Sequence, residues 1–446
     1  MSTNKNVVAK SSPAWIEKQF RLTENKTDIR TEIMAGITTF LTMVYIIFVN
    51  PDLLSIAGMP KEGVFIATIL ASIVGTAAMA LMANYPFALA PGMGLNAFFA
   101  FSVASVVGWQ GALALVFLEG ILFIILSATK FRTLLINSIP MSLKAAISAG
   151  IGLFIALIGF SNSEIVVADP ATFVALGDLS SPVAITAIFG LLVAAVLYAL
   201  KVKGALLFSI IAATIFGMLP GIDVTGHFSG IMAIPSWDSF LSTAFKLDFS
   251  QAFKMGSIGL MLSLFMVDLF DTAGTLVGVS TQAGYLDEKG ELPRSGSAFM
   301  ADAIATVAGA LFGTSTTTTF VESASGVAEG GRTGLTGIVI CVLFVIALFF
   351  SPLVGLVPSA ATAPALIVVG VLMMQNVLKI DWSDFTQAFP AFLTIVAMPF
   401  TYSIANGIGL GFISYAVINT VVKSKNKSNW IINVLAAIFA VYFIFI

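Results

Sequence analysis

Leu264-Phe265-Met266-Val267-Asp268-Leu269-Phe270-Asp271-Thr272 places two carboxylates three residues apart in a stretch that otherwise reads as buried apolar helix. An acid at the centre of a membrane helix costs about 2.5–3.5 kcal/mol on insertion scales, so an acid retained there is expected to serve a site. Working outward, a second anomaly lies 54 residues further on. There Thr314-Ser315-Thr316-Thr317-Thr318-Thr319-Phe320-Val321-Glu322 interrupts an apolar region with hydroxyls and a third acid. A third stretch, Leu89-Ala90-Pro91-Gly92-Met93-Gly94-Leu95-Asn96, breaks the first half of the chain in the same way. These three stretches point to a polar site inside a hydrophobic protein.

The surroundings are those of a membrane protein. Of 446 residues, 58% are hydrophobic and 10% charged, and the mean hydropathy is +1.01, outside the range of soluble domains. The reading is an all-α polytopic membrane protein of fourteen transmembrane segments, each long enough for a hydrocarbon layer of about 30 Å. The expected spans are 33–50, 63–83, 89–107, 109–129, 140–160, 182–200, 204–219, 256–280, 297–313, 315–330, 334–357, 359–378, 386–403 and 407–422. Lys5, Lys10, Lys18, Arg21, Lys26 and Arg30 precede the first of them. That run begins too far into the chain for an ordinary cleaved signal peptide, and its basic flank predicts a cytoplasmic N-terminus. Threading fourteen spans from there leaves only Lys61, Lys246 and Lys254 outside, of 21 Lys and Arg. The tail from Trp430 is expected to lie on the interface or to cross once more.

Several chemistries are excluded. The lone Cys341 cannot form an intramolecular disulfide, and the lone histidine, His227, falls in the outer loop, so His-based metal clusters and triads are ruled out. No Walker A motif is present, so transport would draw on an ion gradient. No cofactor, metal or nucleic-acid partner is expected, and a homodimer is left open.

Asn96 and Glu322 are 226 positions apart, close to half the chain. Matched Gly/Pro-interrupted spans in two halves mark a binding site in transporters, and seven spans per half force an inverted 7+7 repeat. Pro91 and its neighbouring glycines disfavour helix, and four consecutive threonines favour extended backbone. Short antiparallel strands are therefore expected in segments 3 and 10, at about 89–94 and 314–320. They would pair with each other because lipid cannot satisfy a lone strand. Helices starting near Asn96 and Glu322 would aim their positive N-terminal ends at the site.

Within these motifs the chain resembles the AzgA-like purine permeases, of the nucleobase transporter superfamily with the uracil-permease fold. The resemblance rests on Gly36-Ile37-Thr38-Thr39-Phe40-Leu41-Thr42-Met43 with Val49-Asn50-Pro51, on Ala90 through Phe99, on Asp268 through Thr275, and on Gly313 through Gly326. It implies proton-coupled uptake of purine bases by a core domain moving against a gate domain. The implied division is a cytoplasmic tail 1–30, core 31–133 and 256–357, and gate 138–220 and 359–422. An outer loop fills 221–255, and 423–446 holds a basic loop and apolar tail. It implies Asp268 and Glu322 as the purine-contacting acids, supported by Asn96, Gly94 and Asp271. The family contains adenine and guanine/hypoxanthine carriers, and the opening motifs lean toward the latter.

The residues also carry a reading of their own. Asp268 and Asp271 share a helical face with Thr272 and Thr275, and two such close carboxylates resist ionising together, which suits proton uptake and release. Glu322 opens a helix, where a Ser, Thr or Asn cap would avoid the membrane cost of an acid. A carboxylate also accepts two adjacent N–H donors from a purine edge, so Glu322 is read as both ligand and proton carrier. Phe320, Phe98 and Phe99 are stacking candidates, Phe320 first. Asn96 offers donor and acceptor. Glu329 is expected to pair with Arg332, Glu119 and Asp302 are left as interhelical bonds or a proton route, and Gly407-Ile408-Gly409-Leu410-Gly411 is read as close helix packing. The competing functions are a sodium-coupled carrier, an anion carrier, a passive channel and, remotely, an intramembrane aspartyl protease.

Overall fold

The computed structural model describes residues 13–129, 138–226, 230–253, 257–287, 292–422 and 429–445. Among them, nine helices are long and apolar enough to cross a membrane. They account for ten of the fourteen expected runs, because Met93–Ser127 covers two. That long segment breaks at Gly108, whose φ of 71° and ψ of 163° suit glycine, so 109–127 leaves in a new direction. The runs 204–219, 315–330, 334–357 and 386–403 fold as shorter helices. Their ends are cut by Gly217, the threonine run, Pro352 and the Pro399–Ser403 turn. His227, the basic loop 423–428 and residues 1–12, 130–137, 254–256 and 288–291 lie outside the described residues.

Helix packing falls into two sets. In the first, Lys61–Ala78 and Ala104–Ser127 pack on Ser295–Phe312, while Ile29–Met43 packs on Gly334–Ala347 and Ser323–Ala328. In the second, Met141–Asn162 packs on Ser359–Met374 and Phe385–Phe400, with Pro182–Ala199 against Ala205–Gly217. The glycines explain how backbones come this close. A Cβ on Gly152 would stand 2.8 Å from the Gly370 carbonyl, and one on Gly407 would stand 2.7 Å from the Thr394 carbonyl. The Gly407–Gly411 motif is thus a packing stripe.

Two two-stranded sheets interrupt the helices. β1 (Leu89–Pro91) pairs antiparallel with β4 (Thr317–Thr319), in the register Leu89 to Thr319 and Pro91 to Thr317. This is a narrower pair than 89–94 and 314–320, because the helix resumes at Met93 and the chain turns at Phe320. The hairpin of β2 (Val166–Asp169) and β3 (Phe173–Leu176) has no counterpart in the sequence reading. It lies in a loop whose apolar signal is weak, and Asp169 closes it by accepting from the Ala171 and Thr172 N–H groups, both at 2.8 Å.

The described part of the 221–255 loop is ordered against the first helix set. It carries short helices Trp237–Leu241 and Phe249–Ala252. The Phe245 N–H donates to the Leu311 carbonyl (2.7 Å), and Ser239 Oγ donates to Glu62 (2.9 Å). The C-terminal helix Trp430–Phe445 packs along Ile404–Val421, with the Phe412 and Phe439 rings stacked at 6.1 Å. Glu329 pairs with Lys203, not with Arg332 as expected. The Arg332 guanidinium turns back onto the Val327 and Gly331 carbonyls (2.7 and 2.8 Å), because the chain reverses at Gly330.

Candidate functional site

The β1–β4 pair is the frame of the site. Beyond the strands, the Gly92 N–H donates to the Thr316 carbonyl (3.1 Å) and the Phe320 N–H to the Ala88 carbonyl (2.9 Å). Side chains satisfy the remaining backbone groups, as an interior without water demands. Thr76 Oγ1 accepts from the Leu89 N–H (2.9 Å), Ser323 Oγ from the Ala88 N–H (3.0 Å), and Thr306 Oγ1 donates to the Thr317 carbonyl (3.1 Å). Every strand residue is buried.

Asn96 ties the two breaks together. Its Oδ1 accepts from Ser315 Oγ at 2.5 Å and its Nδ2 donates to the Pro91 carbonyl at 3.3 Å. Glu322 stands at the start of the helix Ser323–Ala328, but its side chain makes no capping bond to that helix. Its Oε1 instead accepts from the Tyr45 hydroxyl at 2.7 Å. Tyr45 sits where the helix Ile29–Met43 gives way to Ile46–Ile56, and its ring is buried. Nothing in the sequence reading pointed to it. The available signal was a tyrosine in the apolar run between the two quoted pieces of the first motif, since a phenol buried there needs a partner.

The Asp268–Asp271 pair divides its work. Asp268 is fully buried and Thr272, beside it, meets Thr318 Oγ1 at 2.5 Å, so this edge of the helix Ser257–Ala283 faces the strands. Asp271 and Thr275 are half-buried; Asp271 lies beside the first break, where a Cβ added to Gly92 would stand 3.7 Å from its Oδ2, and Gly274 and Gly278 have open space beside their backbone. Acids from other elements join the two aspartates: Glu119 stands toward Asp268 and Glu322 toward Asp271, and Asp268 also faces Asp271 itself.

Glu119 and Asp302 are bound to the same frame, Glu119 Oε2 accepting from Thr316 Oγ1 (2.9 Å) and Asp302 Oδ1 from Thr319 Oγ1 (3.2 Å). Gly94 faces the second helix set, where an added Cβ would stand 2.6 Å from Ile151 Cγ2. Phe320 is buried beside Glu322, and Phe98 and Phe99 are wholly buried in the core. The ion pairs Arg21–Glu24, Lys61–Asp52 and Lys203–Glu329 leave the central acids out, and among the described residues no basic side chain pairs with them. No group of His, Cys, Asp and Glu among them is placed to hold a metal ion.

Helices interrupted at paired strands, with unneutralised acids beside the breaks, define a multi-pass membrane permease. The chain belongs to the permease family whose model, Xan_ur_permease, matches residues 30–410. Adenine permease AdeP of Escherichia coli is 45% identical, over 91% of this chain and 91% of its own. Guanine/hypoxanthine permease PbuO of Bacillus subtilis is 47% identical, over 95% of this chain and 98% of its own. The transmembrane domain of the cyanobacterial bicarbonate transporter BicA superposes with a TM-score of 0.64 at 15% identity, over 84% of this chain and 97% of its own. That likeness concerns the fold alone. The family resemblance read from the motifs holds, and the protein is a transporter, not an enzyme, which disposes of the aspartyl-protease alternative.

Proposed function

We propose that this permease is a secondary active transporter that imports purine nucleobases by proton symport, with guanine and hypoxanthine favoured over adenine. The observation that carries the reading is the β1–β4 pair, which assembles Asn96, Glu322 and the Asp268–Asp271 helix around one buried frame with no basic partner. In this reading Glu322 and Asp268 accept the N–H edge of the base, Asn96 and Gly94 shape the site, and Phe320 stacks on the ring. Asp268, Asp271 and Glu322 carry the coupling protons, because acids without cations hold protons readily away from water. Relatives of both substrate preferences support a purine, and the lean toward guanine and hypoxanthine rests on the opening motifs.

The same reading places fourteen spans in a 7+7 inverted repeat, in the plasma membrane with the N-terminus cytoplasmic. The two helix sets serve as core and gate. The deciding experiment is uptake of radiolabelled hypoxanthine in a purine-transport-deficient cell, competed with unlabelled guanine and adenine. Parallel runs add a protonophore or replace sodium by choline. Loss of uptake with the protonophore supports proton coupling; loss only without sodium would replace it with sodium symport. Preferential competition by adenine would reassign the cargo.

A further inference from the structure

Glu119 lies on the helix Ala104–Ser127, beside the strand region at Thr316, and is fully buried. One of its oxygens is accounted for by Thr316. The other, Oε1, is reached by no N–H or O–H group, and the same holds for Oδ1 of Asp268. The two helices pack on each other and set these carboxyls within reach of one another, each with one oxygen that no other donor satisfies. Ionised carboxylates only accept hydrogen bonds, so a bond between two of them requires a proton on one.

The rest of the environment adds two further acids and, among the described residues, no cation. Asp302, on Ser295–Phe312, faces both carboxyls and has its own Oδ2 unpartnered, and Asp271 lies on the Asp268 side. The strand region contributes the hydroxyls of Thr316 and Thr318, and Ser295–Phe312 contributes Thr306, whose Oγ1 reaches Asp268 Oδ2 only at 3.5 Å. Phe249–Ala252, also packed on the Glu119 helix, reads FSQA and holds no titratable group. No lysine, arginine or histidine stands among these neighbours.

We propose that Glu119 and Asp268 form a carboxyl–carboxylate pair holding a single proton, with Glu119 the positioning residue that stores the proton Asp268 uses in transport. The O–H of one acid donates to the carboxylate of the other. The O–H bond on Glu119 breaks as one forms on Asp268, Asp268 then releases that same proton and both carboxylates stand ionised, and a proton from solvent later restores the pair. Atoms and charge balance, with the transported proton as the only reactant. The inference rests on the proton-symport reading and extends it to an acid that the cargo does not touch.

Two measurements on the full-length protein test it. The first is infrared difference spectroscopy of the purified wild type, where the pair requires the C=O band of a protonated carboxyl that disappears in Glu119→Gln. A wild type without that band, or a variant that retains it unchanged, overturns the proposal. The second compares hypoxanthine exchange with accumulation driven by an imposed pH gradient in proteoliposomes. Glu119→Gln is expected to keep exchange within about threefold of wild type and to lose gradient-driven accumulation more than tenfold, with a flattened pH profile. Glu119→Asp is expected to regain part of the accumulation. Full accumulation by Glu119→Gln sinks the idea. If the wild type ignores the pH gradient, proton symport fails instead, and the infrared band still decides whether the pair exists.

Discussion

The Tyr45 hydroxyl donates to Glu322 Oε1 at 2.7 Å, joining the break in the first apolar segment to the start of the half-helix that follows β4. One carboxylate oxygen is thereby fixed, and the orientation of the second is set with it. Tyr45→Phe removes that bond while keeping the buried ring. A hydrogen bond to a charged group is worth about 1.5–3 kcal/mol, so purine affinity is expected to fall roughly ten- to hundredfold. Expression and thermal stability should stay near wild type. Unchanged affinity in a binding assay on purified protein would mean that Glu322 does not need this constraint.

Glu322→Ala and Asp268→Ala are each expected to abolish purine uptake in folded, inserted protein, because both remove acids that membrane insertion disfavours. The isosteres are more discriminating. Glu322→Gln keeps shape but exchanges an acceptor for a donor, so binding as well as transport should weaken. Near-normal uptake by the Glu322→Gln, Asp268→Asn double variant would place the site elsewhere.

Gly94 touches Ile151 so closely that Gly94→Ala forces the Met93–Ala97 half-helix away from Met141–Asn162. Overpacking of this kind costs about 1–3 kcal/mol. Transport is expected to drop several-fold, and Gly94→Ala with Ile151→Ala should recover most of it by clearing the Cγ2 methyl. Failure of the double variant to recover would mean that Gly94 acts through the cargo and not through packing.

Asp52 links the two helix sets. It accepts from Lys61 Nζ and Ser359 Oγ, both at 2.7 Å, and from Thr362 Oγ1 at 2.8 Å. Lys61 is 41% exposed, so Lys61→Ala should cost under about 1 kcal/mol. Asp52→Ala breaks all three bonds, leaving the Ser359 hydroxyl without this acceptor and Thr362 Oγ1 with only the Ser359 carbonyl at 3.1 Å. Its melting temperature in detergent should fall clearly further than that of Lys61→Ala. Equal shifts in the two variants would show that the hydroxyl contacts carry no weight.

The membrane class, the approximate apolar spans and the breaks at Pro91–Gly92 and in the threonine run were legible in the sequence. Hydropathy, the helix-breaking of proline and glycine and the extended preference of threonine act residue by residue, and each adds up along the chain without reference to distant partners. The acids stood out for the same reason, since a charge in an apolar run carries its cost wherever the chain goes. What met them was decided by tertiary structure. Tyr45 reaches Glu322 across 277 residues, Ser315 reaches Asn96 across 219 and Thr316 reaches Glu119 across 197. The helical pattern put Asp268 and Asp271 on one face, but packing buried the first completely and left the second half-buried beside Gly92. Which oxygen finds which hydroxyl depends on how far each helix is rotated and where each break falls, and those are settled only when the helices close around the β1–β4 pair.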